Sequence, residues 1–447
     1  MAAAQKPWDH GSIVPKGHYL QHADGTPFFW LGDTGWELFH RLTMAETERY
    51  LANRSAKGFN VIQAVLLAEF DGLRKPDQYG QVPLHNMNPA TPNEAYFKRM
   101  DSIVQMAAAN NLYMGLLPTW GDKVTKMWGT GPEVFTPENA YTYGLYLGKR
   151  YAAAPNVLWI LGGDRPAVTD SADFRPIWRQ MARGILDGTA NKAFITYHIS
   201  GGASTSAHFH SEPWLHMNMM QSGHGSGPDV PVWDWVQRDR ALLPAKPVID
   251  AEPNYEDHPV SPWPTWDPAN GYYSDYDVRK QSYRSVFAGA AGVTYGHHAV
   301  WQFYNPREEK VNHVDRFWTE AIDRPGATQV GYLRRLMESR PMNSRVPDQA
   351  LIAEGQGAKG EHAVAFRDSA GTYAMIYLPV GKPVAINIAA LKAAPKKAWW
   401  FNPRKGKAES GKFTNEGQLL RATPPATGRN ADWVLVLDVA HYPAPGR

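Results

Sequence analysis

Two stretches decide the fold: Val157-Leu-Trp-Ile-Leu-Gly-Gly-Asp164-Arg-Pro166 and Pro247-Val-Ile-Asp250-Ala-Glu252-Pro253. Each is a short apolar run that ends at an acid close to a proline, the signature of a strand buried on both faces whose end leaves the sheet. Working outward, six further runs read the same way, at residues 28–33, 60–67, 112–118, 193–198, 215–221 and 292–297. Helical patterns separate them. Thr43-Met-Ala-Glu46 and Thr91-Pro-Asn-Glu94 fit capping boxes, the second with proline at the first helical position, and Thr136-Pro137-Glu138 opens another helix. Eight strands alternating with helices predict an α/β fold, a (β/α)8 TIM barrel over residues 27–340, behind a lead-in at residues 1–26.

Beyond that point the pattern changes to short alternating strands at 361–366, 372–378, 384–388, 398–401 and 432–437, which predict a C-terminal antiparallel β-sandwich over 341–447. Charge changes with it: residues 341–447 carry 14 basic and 8 acidic side chains, whereas the first 340 carry 32 and 35. In Trp399-Trp400 the side chains alternate, so at least one is expected in the sandwich core, and bracing of the barrel is the favoured role of this domain.

The composition bounds the partners. The chain has 447 residues and a formal charge of only +3, which argues against nucleic acid. No run approaches the roughly 20 apolar residues of a membrane span, so no membrane partner is expected. With no cysteine there is no disulfide, thiolate metal site or cysteine nucleophile. The start Met1-Ala-Ala-Ala-Gln5 suits the remnant of a trimmed leader, giving a secreted or periplasmic expectation. A monomer is favoured. The 17 Trp, 21 Tyr and 16 Phe suit stacking on the C–H faces of sugar rings.

In a parallel barrel the carboxyl ends of the strands converge on one mouth, so polar residues there are the first candidates. Asp164 follows the fourth strand and Glu252 the seventh, on opposite sides of an eight-membered ring. A glycosidic bond fits between two such acids, one protonating the leaving oxygen and the other acting from the far face of the sugar. Alone, Asp164 could merely cap a helix and Glu252 merely tie a loop; as a pair they predict glycoside hydrolysis. Asp33, Trp36, Gln63, Glu69, Trp120, His198, Gln221, His297 and Trp301 stand at other strand ends or mouth-side loops and are the candidate substrate-binding residues, with Trp263 and Trp266 in a long Pro- and Trp-rich loop. For Asp164 to serve as the acid it must be protonated near neutrality, so the guanidinium of Arg165 is expected to turn away.

A metal site competes weakly. His208, His210, His216, His224 and the His297-His298 pair lack an HExxH arrangement, and no metal or cofactor is expected. No GxSxG elbow or phosphate loop occurs.

The segments Phe28-Phe-Trp-Leu-Gly-Asp-Thr-Gly-Trp36, Gly58-Phe-Asn-Val-Ile-Gln63, Leu161-Gly-Gly-Asp164 and Asp250-Ala-Glu252-Pro253 resemble the apiosidase-like glycoside hydrolase family, and Trp399-Trp-Phe-Asn-Pro-Arg-Lys-Gly406 resembles a turn of its accompanying putative collagen-binding sandwich. The resemblance implies cleavage at β-apiofuranosyl linkages, as in the side chains of pectic rhamnogalacturonan II, with Asp164 and Glu252 as the catalytic acids; the expected mechanism is retaining, with Asp164 as general acid/base and Glu252 as nucleophile. It also marks a departure: the large retaining barrel clan has Asn-Glu after strand four, where this chain has Gly163-Asp164, so a shorter acid must reach the sugar. The alternatives are a glycosidase for another furanoside or apiosylated plant glycoside, and a carbohydrate-binding protein without turnover.

Overall fold

The computed structural model describes residues 5–447; the leader expectation falls on residues 1–4, outside the described residues, and on Gln5. Eight parallel strands close a barrel: β1 (Trp30–Thr34), β2 (Val61–Val65), β3 (Tyr113–Leu117), β4 (Val157–Gly162), β5 (Ile195–His198), β6 (Met217–Gln221), β7 (Val248–Asp250) and β8 (Gly292–Tyr295). Closure is made by β8 pairing with β1, Val293 opposite Leu31. A short antiparallel strand, Ala203–Ser204, adds to β6.

Alternation along each strand divides its side chains between two cores. Trp30, Val61, Val65, Tyr113, Leu158, Ile160, Met217, Met219 and Ile249 fill the barrel interior. Leu31, Ile62, Met114, Trp159, Tyr197 and Val293 face outward to the helices. The helices are α1 (Met44–Ala56), α2 (Glu94–Ala109), α3 (Pro137–Tyr151), α4 (Arg175–Gly188), α5 (Val232–Arg240), α6 (Asp275–Phe287) and α7 (Pro325–Glu338), with single turns elsewhere. Thr43 and Glu46 form the expected box at α1, and Thr136 caps α3. The expectation for α2 is corrected: its cap is Asn93, which accepts from the Ala95 N–H, because the Thr91 hydroxyl is spent on the His85 carbonyl. A small sheet of Ile13–Lys16, Tyr19–His22 and Pro27–Phe28 packs its Tyr19, Leu20 and Phe28 with the interior core, at the end away from the mouth.

The C-terminal sandwich pairs a six-stranded antiparallel sheet with a four-stranded one. Trp400 is buried in its core, while Trp399 turns to the barrel side and donates its indole N–H to Asp438 at 3.0 Å. The strands Lys407–Ser410 and Phe413–Glu416 were not legible because they are largely exposed and polar, and Leu419–Ala422, which buries Leu420 and Ala422, was missed because it is only four residues long. Helix α6 lies between the domains with Tyr276 through Phe287 all buried. On its sandwich side Arg279 makes a two-pronged pair with Asp432 at 3.1 and 2.9 Å, and Tyr276 donates to the Pro379 carbonyl at 3.1 Å. No helix among the described residues is long and apolar enough to cross a membrane.

Candidate active site

A cavity of about 770 Å³ opens at the carboxyl ends of the barrel strands, and Asp164 and Glu252 both line it. Asp164 arrives there through three successive left-handed residues: Gly162 at φ 89°, Gly163 at φ 122° and Asp164 itself at φ 48°. A Cβ on Gly162 would lie 2.1 Å from the His198 carbonyl oxygen, and one on Gly163 would meet the Trp120 ring at 2.9 Å, so the two glycines permit the close turn. A non-glycine residue held at positive φ beside a cavity marks backbone strain of the kind concentrated at functional sites.

Gln221, the last residue of β6, donates from Nε2 to Asp164 Oδ1 at 3.1 Å. Arg165 does not turn away, which corrects the expectation: its Nη1 donates to the Asp164 carbonyl at 2.7 Å and lies 3.3 Å from Oδ2. The guanidinium is held there because it also donates to the Lys126 carbonyl and lies over the Trp128 ring, 4.2 Å from its centroid. Burial and the charge of Glu252 nevertheless push the Asp164 carboxyl up to about 6, against the opposing pull of Arg165, His198 and Gln221.

Glu252 is held differently. His198 Nε2 lies 3.2 Å from Oε2 and His224 Nε2 lies 3.3 Å from Oε1. Burial disfavours the carboxylate, but contact with both imidazoles outweighs it and brings Glu252 down to about 2. One acid is thus poised to hold a proton and the other to lack one, the division of labour that carboxylate-pair chemistry requires.

Trp36, Glu69, Trp120, Gln221 and Trp301 also line the cavity, as do Trp263 and Trp266. Burial, with Glu37 alongside, pushes the Glu69 carboxyl well above the usual range, placing a third acid in the cavity. His198 stands behind Glu252 with its ring edge-on to Trp36, centroids 5.3 Å apart.

Four expected sugar contacts do not line the cavity: His198, behind Glu252, and three that are placed elsewhere. Asp33 has the outward parity of Leu31, so its carboxylate enters the barrel–helix layer, where Arg54 Nε donates at 2.6 Å and Tyr50 also donates. Gln63 points inward but below the cavity, bonding the Ala251 carbonyl at 3.2 Å and the Thr294 hydroxyl at 3.0 Å. His297 accepts the Ala299 N–H at 3.0 Å and lies 3.1 Å from Asp257 Oδ2, which commits both ring nitrogens to the fold.

Sequence reasoning missed Trp128, Tyr255 and His258 as lining residues, and considered His224 only as a metal ligand. His224 follows β6 by three residues, a position that puts it at the mouth; Tyr255 and His258 sit in the long loop after β7. His258 stacks on His224 with centroids 4.3 Å apart. Among the described residues no group of three or more His, Cys, Asp or Glu is arranged to hold a metal ion.

Barrel, mouth and paired acids define the class, a glycoside hydrolase. Residues 14–344 match the model of the Apiosidase-like catalytic domain, and residues 346–438 match that of the putative collagen-binding domain of a collagenase. The chain belongs to the apiosidase-like family. Among solved structures it is similar to a glycoside hydrolase at 32% identity and TM-score 0.88, covering 97% of this chain and 98% of the other. It is similar also to a glycoside hydrolase family 5 protein from Bacteroides vulgatus ATCC 8482, at 30% identity and TM-score 0.88, covering 99% and 98%. A putative glycoside hydrolase from the same organism, 14% identical with TM-score 0.68 over 97% and 84%, shares the fold. No curated protein matches the chain.

Proposed function

We propose that the protein hydrolyses β-apiofuranosyl linkages of plant pectin, as in rhamnogalacturonan II side chains, with retention of configuration. Asp164 is the general acid/base and Glu252 the nucleophile. The observation that carries the reading is the opposed environment of the two acids in one cavity: Asp164 raised by burial and by Glu252, Glu252 lowered by His198 and His224. The family supports the sugar.

In the first step Asp164 gives its proton to the leaving oxygen while a Glu252 oxygen attacks the anomeric carbon, forming a glycosyl ester. In the second, Asp164 takes a proton from water, which attacks the same carbon and releases Glu252. Retention calls for carboxyl groups about 5–5.5 Å apart, inversion for about 6.5–9.5 Å. The configuration of the first-formed product decides between the two. The extracellular or periplasmic space, where pectin fragments are met, is the proposed place of action, and a monomer the proposed unit.

The test is incubation with apiose-containing pectin fragments, followed by product analysis and proton NMR of the first-formed anomer. Release of β-configured apiosyl product supports the reading. An inverted product reassigns Glu252 as base, and activity confined to another furanoside reassigns the sugar. Binding without product release at any pH between 4 and 8 would leave a carbohydrate-binding protein.

A further inference from the structure

Two tryptophans at the cavity rim take no part in the chemistry above. Trp128 is 47% exposed and Trp263 56% exposed, the most exposed tryptophans of the chain. They come from separate loops, Trp128 from the one after β3 and Trp263 from the one between β7 and α6, and meet edge to face with ring centroids 5.8 Å apart. Both line the cavity. Large aromatic surface left in water beside a cavity that holds carboxyl groups signals a binding face rather than a core.

The Trp128 ring is anchored from behind, and the loop that carries Trp263 is pinned at the neighbouring residues. The Arg165 guanidinium lies 4.2 Å from the centre of Trp128 and reaches the Asp164 carboxylate with the same group. Trp266, from the loop of Trp263, is buried edge-on to His258 with centroids 4.8 Å apart. The Thr265 carbonyl of this loop accepts from His313 Nε2 at 3.3 Å. Trp128 and the backbone around Trp263 are therefore held in place before any ligand arrives, which reduces the entropy cost of binding.

From this arrangement we infer that Trp128 and Trp263 form a carbohydrate subsite on the leaving-group side of the scissile bond, and that the protein recognises an oligosaccharide rather than an isolated glycoside. The side follows from Arg165. It ties Trp128 to Asp164, the acid that protonates the departing oxygen, whereas Glu252 is contacted by the imidazoles of His198 and His224. The ligand is a sugar ring with a C–H face, lying against indole as the leaving group's first or second residue. The inference rests on the roles proposed for Asp164 and Glu252.

The experiment uses full-length Glu252→Gln protein, which binds without turnover, and measures dissociation constants by calorimetry. The probes are apiose-bearing pectic oligosaccharides, the same oligosaccharides with the apiosyl unit removed, free apiose, and xylan and arabinan oligosaccharides. Trp128→Ala and Trp263→Ala should each weaken binding of the oligosaccharides, with and without the apiosyl unit, by about tenfold, and free apiose by much less. Trp128→Phe and Trp263→Phe should recover part of the loss, and thermal melting verifies that each variant is folded. Unchanged oligosaccharide binding in both Ala variants overturns the subsite, as does failure of every oligosaccharide to bind the Glu252→Gln protein. A larger loss for free apiose than for the apiose-free oligosaccharide overturns the leaving-group assignment. Tryptophan-dependent binding of xylan or arabinan fragments in place of pectic ones would overturn the sugar proposed above and leave the subsite standing.

Discussion

His224 Nε2 lies 3.3 Å from Glu252 Oε1, and the Tyr255 backbone N–H donates to His224 Nδ1, also at 3.3 Å. A ring nitrogen that accepts an N–H carries no proton, so the other nitrogen carries it and His224 serves Glu252 as a neutral donor. His224→Phe keeps a ring against His258 but removes the donor. A hydrogen bond to a charged group contributes about 1.5–3 kcal/mol, so kcat/KM should fall roughly 10- to 100-fold. The acid limb of its pH profile, set by Glu252 near 2, should move to higher pH. His224→Gln, which retains an N–H donor, should recover part of both effects. An unshifted acid limb in His224→Phe would remove His224 from this role.

Arg165 favours the ionised form of Asp164, whose carboxyl stands at about 6. An acid that must be protonated loses activity as pH rises through that value, so kcat/KM should decline above about pH 6. Removing the cation in Arg165→Met raises the Asp164 pKa further and should carry the alkaline limb upward. An unshifted limb would assign it to a group that Arg165 does not act on, whereas an upward shift leaves Asp164 and Glu69, the other raised acid in the cavity, to be told apart by their amide variants.

Exchange of Asp164 for Asn or of Glu252 for Gln should lower turnover by about 10²–10⁴ with little loss of thermal stability. Glu69→Gln should cost less than either. If Glu69→Gln abolishes activity while Asp164→Asn retains it, the acid is Glu69.

Asp33 is buried against Arg54, and both are fully shielded from solvent. Removing one partner of such a pair leaves a buried charge and costs about 3–5 kcal/mol. Asp33→Ala should therefore be seen in a denaturant midpoint, with KM close to that of the parent. A raised KM at unchanged stability would return Asp33 to the sugar site.

Asp432 receives Arg279 and Arg404, each within 3 Å of Oδ1. Asp432→Ala should lower the melting temperature through loss of the contact between sandwich and α6, at a cost on the order of 3–5 kcal/mol. Deleting residues 345–447 would bare the sandwich side of α6, and the shortened chain should be insoluble or melt markedly lower, without a separate defect in polymer binding.

The eight strands were legible to within about two residues at each end, Val157–Gly162 completely so, because strands buried on both faces read as uninterrupted apolar runs. The exposed strands of the sandwich carry no such signal. Asp33 shows the limit at the site: its nearness to the strand end suggested the mouth, while the inside–outside alternation with Trp30 and Leu31, present in the same segment, pointed it into the helix layer.

By itself the sequence determined the barrel, the sandwich and the two acids at the strand ends, since these follow from periodicity and from where polar residues interrupt it. Tertiary structure alone decided that two imidazoles hold Glu252, that Arg165 faces Asp164 and that Trp128 meets Trp263. The first and last join residues far apart in the chain, and the second depends on Lys126 and Trp128 holding the guanidinium from another loop; their energies depend on distance and burial, which local sequence does not encode.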